Sequence, residues 1–546
     1  MTEFYLNGAL LKDPPVEWLD LEYLVSFSNN ANQPTITLDT FTFVGDAKAI
    51  IDKHIATHIF EGLDFRIEED GEVFFDGMLD FVEQFVEDDQ IKTLCKVIQK
   101  DDIDHIDNRF KGITFGYIEQ KLGALSYTDV PIIVIKKFQA DQLALVAVMI
   151  YTIQKLIQDV KVQIGKILSD IIDVSLGSVG ARILRAAIQI VYLAALIIML
   201  LNLINQVLKY LVPPRANYKG ITLEAAMVAI SRMVGLNFHS TIPEMKTFVY
   251  LPSKQGINIR EGRRESGVPN VTDFGYTASE FVELVTDLFH ARTKVIDGTL
   301  HIESLKNNSF WRAGTGYVMH SLYEPLEKPN TSELSGTSIL SYTTDSIDDW
   351  TTDDSSGYAV EVTTRQSSYK NANNNLIRGY DRTDFPVALG SVKDTWSPLE
   401  DSLKALFRLF KSASQLLKNS KNIPDFEIGR NRIKISEPYF GVPKLIELKN
   451  GSAVRDKIKA RSLWENYHSE KSFVYNAQEK IQTEMRIKFT LADFKKLLRN
   501  NRFETADGRR GYFTSLRWRR GSEYALADYR IKDVYCKGLS ETITEV

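Results

Sequence analysis

The spacing of apolar and polar residues predicts that the first part of the chain is built from strands. Leu63 to Ile67 alternates apolar with polar residues, Gly71 supplies a turn, and Val73 to Met78 forms a second run, a pattern typical of a β-hairpin. Upstream, Thr35 to Val44 is rich in β-branched and aromatic residues, a composition that favours a strand. We therefore expect residues 1–137 to form a β-rich domain.

A very different pattern follows in residues 138–214. The 23 residues from Ala186 to Leu208 carry no formal charge, and roughly 20 apolar residues are enough to cross a bilayer. Glycines interrupt the segment near 177–180, and Pro213 ends it because proline cannot continue a helix. The pattern predicts a helical hairpin with arms at about 139–173 and 181–211.

Three environments could cover this apolar hairpin. It could be buried in a bundle between subunits, contact a membrane at some stage, or belong to a conventional integral membrane protein. Amide side chains such as Gln189 and Asn202 interrupt the run and favour contact with other helices. The residues expected to contact a bundle or a membrane are Ile190, Leu193, Leu196, Ile197, Leu200, Leu201 and Ile204.

Short helices and strands alternate in residues 215–305, which we expect to form small α+β units. A capped amphipathic helix begins at Thr222, and a second begins at the capping box formed by Thr277 and Glu280. Asp297-Gly298 is the predicted turn of a hairpin. Two α+β units with this order suggest an internal repeat.

Two further segments complete the predicted organisation. Residues 306–397 are rich in Ser, Thr, Asp, Asn and Tyr and contain the strand pattern of Gly357 to Thr364, which indicates a second β-rich domain. Residues 398–546 are predicted to form an amphipathic helix, beginning near Ser397, and a β-rich C-terminal region. The fold class is therefore α+β and multidomain.

Composition limits the classes of protein to which the chain can belong. The 546 residues include 44% hydrophobic residues, 25% charged residues and two cysteines, which excludes a wholly disordered chain and a disulfide scaffold. The N-terminus lacks the pattern of a secretory signal, so export by that route is not indicated. Charge is uneven: residues 1–110 hold 24 acidic and 8 basic residues, whereas residues 401–546 hold 18 acidic and 30 basic residues. The two ends could steer self-association, or they could be independently solvated surfaces.

A search for catalytic chemistry in the sequence finds none of the common motifs. There is no Gly-x-Ser-x-Gly, phosphate-binding loop, His-Glu-x-x-His or Cys-x-x-Cys pattern, and the eight histidines do not gather with acids at a ligand spacing. The sequence thus predicts no enzyme activity, no cofactor and no metal ligands. A basic cluster could contact DNA or another subunit, although a solvated sheet surface is the simpler interpretation. Its members are Arg509, Arg510, Arg517, Arg519 and Arg520.

The order of these parts resembles the tail hub proteins of tailed bacteriophages, found at the baseplate or tail tip. The resemblance rests on Phe4 to Gly8, Pro15 to Trp18, Glu72 to Phe81, and small α+β units such as Gly298 to Ile302, followed by the second β-rich domain. It implies two tube-like β domains per subunit, with a trimer presenting a pseudo-sixfold ring to the tail tube. The apolar hairpin departs from the family pattern.

This resemblance implies a structural hub in the virion tail, made in the host cytoplasm. The hub would close the end of the tail tube and join it to the tip or spike. For the hairpin, which departs from the family pattern, the apolar surface leads us to expect that it plugs the channel or engages the host membrane during genome delivery. The implied partners are other copies of the chain in a homo-oligomer, expected to be a trimer, the tail tube protein, the tape-measure protein and the tip or spike protein. The basic cluster and the apolar hairpin add two further expected contacts, a transient one with DNA and one with the host membrane. Two alternatives remain open, a membrane-active pore-forming protein and a tail-associated cell-wall hydrolase.

Overall fold

The fold combines helices with several β-sheets, which confirms the α+β prediction at this level. It is seen in a computed structural model of the chain. The structure describes residues 2–27, 35–38, 40–58, 61–86, 91–99, 110–123, 125–134, 140–172, 179–211, 215–252, 277–296, 298–306, 310, 315–329, 336–348, 350–351, 356–364, 380–392, 432–436, 441–471, 479–497, 500–532 and 541–545.

The N-terminal sheet is antiparallel and has the strand order β2-β1-β6-β7-β8-β5. Its strands are β1 (Thr2–Leu6), β2 (Ala9–Leu10), β5 (Phe41–Phe43), β6 (Leu63–Glu69), β7 (Glu72–Val86) and β8 (Thr93–Gln99). The predicted hairpin is confirmed by the pairing of β6 with β7. Asp70 and Gly71 form its turn with φ of 53° and 80°, and Gly71 adopts this left-handed conformation at no steric cost.

The C-terminal sheet has the strand order β15-β25-β26-β27-β24-β16, with β3 added to β26 and β4 added to β3. Its strands are β3 (Glu22–Ser26), β4 (Thr35–Thr37), β15 (Val318–Met319), β16 (Lys328–Pro329), β24 (Glu479–Lys488), β25 (Arg502–Thr505), β26 (Arg510–Arg519) and β27 (Tyr524–Lys532). The segment from Thr35 to Val44, whose composition favours a strand, contains two strands. Its two halves, β4 and β5, belong to different sheets.

A shared apolar core joins the N-terminal and C-terminal sheets. The buried ring of Tyr23 on β3 lies 4.9 Å from the ring of Phe74 on β7 and 5.8 Å from that of Trp518 on β26, measured between centroids. Strands from the predicted domain 1–137 thus pair and pack with strands from residues 479–532. Local sequence patterns did not show this pairing because they carry no information about partners hundreds of positions away.

The middle of the chain builds three further sheets. The largest has the order β20-β22-β12-β10-β9-β21, with β23 beside β22; a second has the order β11-β14-β13, and a third β19-β17-β18-β28. Their strands are β9 (Tyr127–Val134), β10 (Arg215–Thr222), β11 (Asn237–His239), β12 (Phe248–Leu251), β13 (Ala291–Ile296), β14 (Thr299–Ser304), β17 (Thr337–Tyr342), β18 (Ala359–Thr364), β19 (Tyr380–Phe385), β20 (Ala388–Leu389), β21 (Ile433–Ile435), β22 (Lys444–Lys449), β23 (Ser452–Val454) and β28 (Glu541–Glu545).

Two of the helices begin at the caps that the sequence predicts. Within the described residues, the α-helices are α1 (Gly45–His58), α2 (Phe115–Leu122), α3 (Ala140–Ile172), α4 (Val179–Leu211), α5 (Leu223–Met233), α6 (Ala278–Leu288), α7 (Ala460–Leu463) and α8 (Leu491–Leu497). Thr222 caps α5 by accepting a hydrogen bond from the Ala225 amide, and the predicted capping box of Thr277 and Glu280 opens α6. Helices α2, α5, α6 and α7 contribute to the core of the middle sheets. The helix predicted from Ser397 onward lies outside the described residues.

Candidate functional site

Two long helices, α3 and α4, occupy the segment predicted as a hairpin. Each has 33 residues, which corresponds to about 50 Å at 1.5 Å per residue. They contact each other, and Ile153 and Ile167 of α3 and Leu196 of α4 are buried. Among the residues that the structure describes, we find no helix with the length and apolar character needed to cross a membrane.

Much of the apolar surface of α4 is exposed to solvent in the single chain. Among the side chains of α4 that the structure describes, the large apolar ones that are more than half exposed are Ile183, Leu184, Ile188, Ile190, Val191, Tyr192, Ile198 and Met199. Helix α3 adds Tyr151, Val162 and Leu168, which are exposed to a similar degree. Soluble monomers rarely expose apolar surface on this scale, and such surface marks an interface or a liability to aggregate.

The predicted contact residues divide into different environments. Ile190 is exposed, Leu193 is half-buried, and Leu196 is buried within the chain. The side chains of Ile197, Leu200, Leu201 and Ile204 lie outside the described part of the structure. Contact of these residues with a bundle or a membrane stays a prediction. The structure adds Ile198 and Met199 as exposed positions on the same helix.

The predicted basic cluster lies among carboxylates of the same chain. Arg520 Nε lies 2.6 Å from Glu69 Oε1, and Arg519 pairs with Asp20. Arg517 Nε and Arg510 Nε lie 3.9 Å from the carboxylates of Glu22 and Glu504. Much of the cluster's positive charge is therefore compensated within the chain, which reduces what remains to attract DNA.

Arg509 pairs with two carboxylates of the same chain. Its Nη1 lies 2.8 Å from Glu327 Oε2, and its Nε lies 2.8 Å from Asp507 Oδ2. Burial opposes the charged form, but these hydrogen bonds outweigh it and raise the pKa of Arg509. A role of the cluster in contacting DNA or a subunit stays a prediction.

Three side chains that could hold a metal ion come together on the three-stranded sheet. His239, His301 and Glu303 each offer one ligand atom, and these atoms all lie within 4.8 Å of one another. His239 on β11 is the register partner of His301 on β14, and Glu303 follows two positions later on the same face. Burial and the neighbouring His239 lower the pKa of His301, which favours the neutral imidazole. Sequence spacing did not indicate this cluster because it depends on the parallel pairing of two distant strands.

Comparisons with known proteins found no matching family model and no matching curated protein. Among solved structures, the chain is similar to the 43 kDa tail protein of prophage MuSo2 from Shewanella oneidensis, with 9% identity, a TM-score of 0.39, and 97% of each chain covered. It is also similar to the tail protein from Neisseria meningitidis MC58, with 8% identity, a TM-score of 0.28, and coverage of 98% of this chain and 96% of that chain. Both TM-scores are too low to establish a shared fold.

Proposed function

We propose that the chain is a structural hub protein of a bacteriophage tail that works as a closed homo-oligomer, a trimer, in the virion. It closes the end of the tail tube and joins it to the tip or spike. The assignment to a tail rests on the order of sequence parts that resembles hub proteins. The observation that carries the assembly is the exposed apolar surface of α4.

The helix pair supplies the reason for a closed assembly. Apolar side chains such as Ile190 and Ile198 are exposed in the single chain, and removing them from water is favourable by about 25 cal/mol per Å². A trimer provides six long helices, which can cover one another in a bundle around the axis. In this position the bundle plugs the channel or seats the tape-measure protein, and it is released toward the host membrane during genome delivery.

Opposite charge at the two ends of the sequence contributes less to this assembly than the sequence suggests. Acidic residues of the N-terminal region, including Asp20, Glu22 and Glu69, pair with arginines of the C-terminal sheet in the same chain. The ion pairs therefore act mainly within the subunit. Self-association rests on apolar contact, which salt weakens much less than it weakens exposed ion pairs.

Native mass spectrometry of the full-length protein tests the proposal. We expect a closed trimer in the natural protein and a shift toward monomer in Ile190→Asp, because a charge at this exposed position disfavours apolar contact between subunits. Gln158→Asp on the exposed polar surface of α3 is the matched control and should keep the trimer. A natural protein that stays monomeric at high concentration would contradict the proposal.

The tail assignment is tested separately from the oligomer. The adjoining genes are expected to include one for a tape-measure protein. Liposome flotation of the natural protein distinguishes the hub from a pore-forming protein, since a hub with a covered bundle should not float before it is triggered. Trimer formation without a neighbouring tail gene would retain the assembly and overturn the assignment to a tail.

A further inference from the structure

We propose that His239, His301 and Glu303 form a binding site for a divalent transition-metal ion of the zinc class. Imidazole nitrogen and carboxylate oxygen are the ligands that zinc takes when cysteine is absent. Three protein ligands leave one position of a tetrahedral ion open to water. The site is independent of the role proposed for the helix pair.

Sheet geometry brings the ligands to one face. Phe238 and Leu300 are register partners on the core side of β11 and β14, so their neighbours His239 and His301 project from the opposite side. Glu303 lies on that same side, two residues beyond His301. The arrangement is set by the backbone and does not depend on a flexible loop.

The distances require only a small adjustment on binding. Ligand atoms around a tetrahedral zinc at about 2.0–2.1 Å are roughly 3.3 Å apart, compared with a limit of 4.8 Å in this cluster. The ring of His239 is exposed and can rotate to close this gap. The contraction is therefore at most about 1.5 Å, which side-chain rotation can supply while the paired backbone stays in place.

The other two ligands are held in place by their neighbours. The Thr241 amide donates a hydrogen bond to Glu303 Oε1 at 2.9 Å, and the Thr241 hydroxyl donates to Glu303 Oε2. The ring of His301 stacks on Phe310 with centroids 5.1 Å apart. Contacts that orient ligands in this way are typical of metal sites, because they fix the geometry before the ion arrives.

A buried ring nitrogen supplies an independent indication. His301 Nδ1 is buried and has no hydrogen-bond partner within the described part of the chain, and a buried polar atom in this state is costly. A metal ion bound at this nitrogen would satisfy it, whereas a proton there would leave a buried N–H donor without an acceptor in the described part of the chain. Lys294, the register partner of His301 on β13, adds a positive charge nearby that the Glu303 carboxylate must offset.

Zinc binding by the full-length protein tests the site. Protein stripped with a chelator is titrated with ZnCl2 against a chromophoric chelator, with MgCl2 as the control ion. We expect one zinc per chain, a rise in Tm with ZnCl2, and neither effect with MgCl2. Co²⁺ should give the visible absorption of a tetrahedral nitrogen and oxygen site.

Variants separate this site from adventitious binding. His239→Ala and Glu303→Gln should each weaken zinc binding by about tenfold or more, whereas His320→Ala, which removes an exposed histidine elsewhere, should leave it unchanged. His239 is exposed, so its variant should keep the circular dichroism spectrum of the natural protein. Absence of stoichiometric zinc binding would overturn the proposal, as would equal affinity in the natural protein and folded His239→Ala.

Discussion

Arg520 and Glu69, which are 451 positions apart in sequence, form a hydrogen-bonded ion pair with 2.6 Å between Nε and Oε1. The Glu69 side chain is 4% exposed and that of Arg520 is 24% exposed. Arg520 also donates to the Thr2 hydroxyl and lies over the ring of Trp18 at 5.3 Å. Arg520, a member of the predicted basic cluster, therefore links the C-terminal sheet to Thr2, Trp18 and Glu69 of the N-terminal region.

Replacing Arg520 with methionine should destabilise the protein by about 1.5–3 kcal/mol, because it leaves the buried Glu69 carboxylate without its charged donor. Arg510→Met is the matched control: Arg510 is 85% exposed, and its loss should change the free energy of unfolding by no more than about 0.5 kcal/mol. Urea unfolding measures both. Equal effects of the two variants would show that the ion pair contributes little. The coupling energy between Arg520 and Glu69 follows when Glu69→Gln is measured alone and in combination with Arg520→Met.

Two stacked histidines should make the fold sensitive to acid. Burial lowers the pKa of His290 to about 2 and that of His468 to about 3, and the nearby Lys471 contributes to both shifts. Both are neutral in the folded state, whereas the unfolded chain takes up protons below about pH 6.5. The contribution of the two neutral histidines to the free energy of unfolding is therefore fully present above about pH 6.5. It is lost as pH decreases toward 3, by up to about 1.4 kcal/mol per pH unit for each histidine.

Denaturant unfolding at pH 7.5 and pH 5 checks this dependence. His290→Asn should reduce the loss between these pH values by up to about 2 kcal/mol, and asparagine tolerates the positive φ of 42° at this position. The exposed His58→Asn serves as the control. If His290→Asn lost as much stability as the natural protein, protonation of His290 would have no part in acid unfolding.

The turn at Gly298 needs a residue that accepts positive φ. Gly298 has φ of 69°, and an added Cβ would meet no heavy atom within 4 Å. Gly298→Val should therefore cost about 1–2 kcal/mol through backbone conformation alone, and Gly298→Asn should cost less. Thermal unfolding is the measurement, with Gly112→Val as the control because Gly112 is equally open and has no positive φ. An unchanged Tm in Gly298→Val would mean that the turn relaxes freely.

Leu196 and Ile198 on α4 should respond differently to the same charge. Leu196 is 7% exposed and Ile198 is 59% exposed. Leu196→Asp should destabilise the helix pair within one chain by at least about 3 kcal/mol, since it removes a buried leucine and adds a charge. Ile198→Asp should spare helical content and act only on assembly. Loss of helical circular dichroism on heating measures the difference, and identical melting of the two variants would contradict it.

A buried lysine next to two buried aspartates provides a further test. Lys444 Nζ lies 2.7 Å from Asp348 Oδ2 and 3.4 Å from Asp345 Oδ2, with all three side chains excluded from solvent. Lys444→Met should cost about 3–5 kcal/mol, because breaking a buried pair leaves charge uncompensated. Lys449→Met, at an exposed position five residues along the chain, is the control. Urea midpoints that shift equally in the two variants would contradict this expectation.

Sequence patterns predicted the local elements well and their partners poorly. Alternation and turn residues were enough for the hairpin at Gly71, and the cap at Thr222 and the capping box at Thr277 also came directly from the sequence. These features depend on neighbours within a few residues. The pairing of β3 with β26 joins residues almost 500 positions apart. The periodicity of hydrophobic residues gives no information about which distant strands pair.

For the candidate sites too, local features could be predicted from the sequence and long-range contacts could not. The length of α3 and α4 could be predicted from the apolar run and its glycine and proline boundaries. Which apolar residues are covered within the pair could not, because the run is apolar on all sides. The cluster of His239, His301 and Glu303 was missed, since parallel register between β11 and β14 decides which side chains meet.

The core shared by the first and last sheets has a consequence for synthesis on the ribosome. Tyr23 and Phe74 are synthesised more than 400 residues before Phe494 and Trp518, whose rings lie against that of Tyr23. One apolar face of the N-terminal sheet therefore stays uncovered while more than 400 residues are added. The hydrogen bond from Lys495 to Glu72 likewise joins residues 423 positions apart. A chain released before Phe494 and Trp518 are made should therefore expose this apolar face and aggregate.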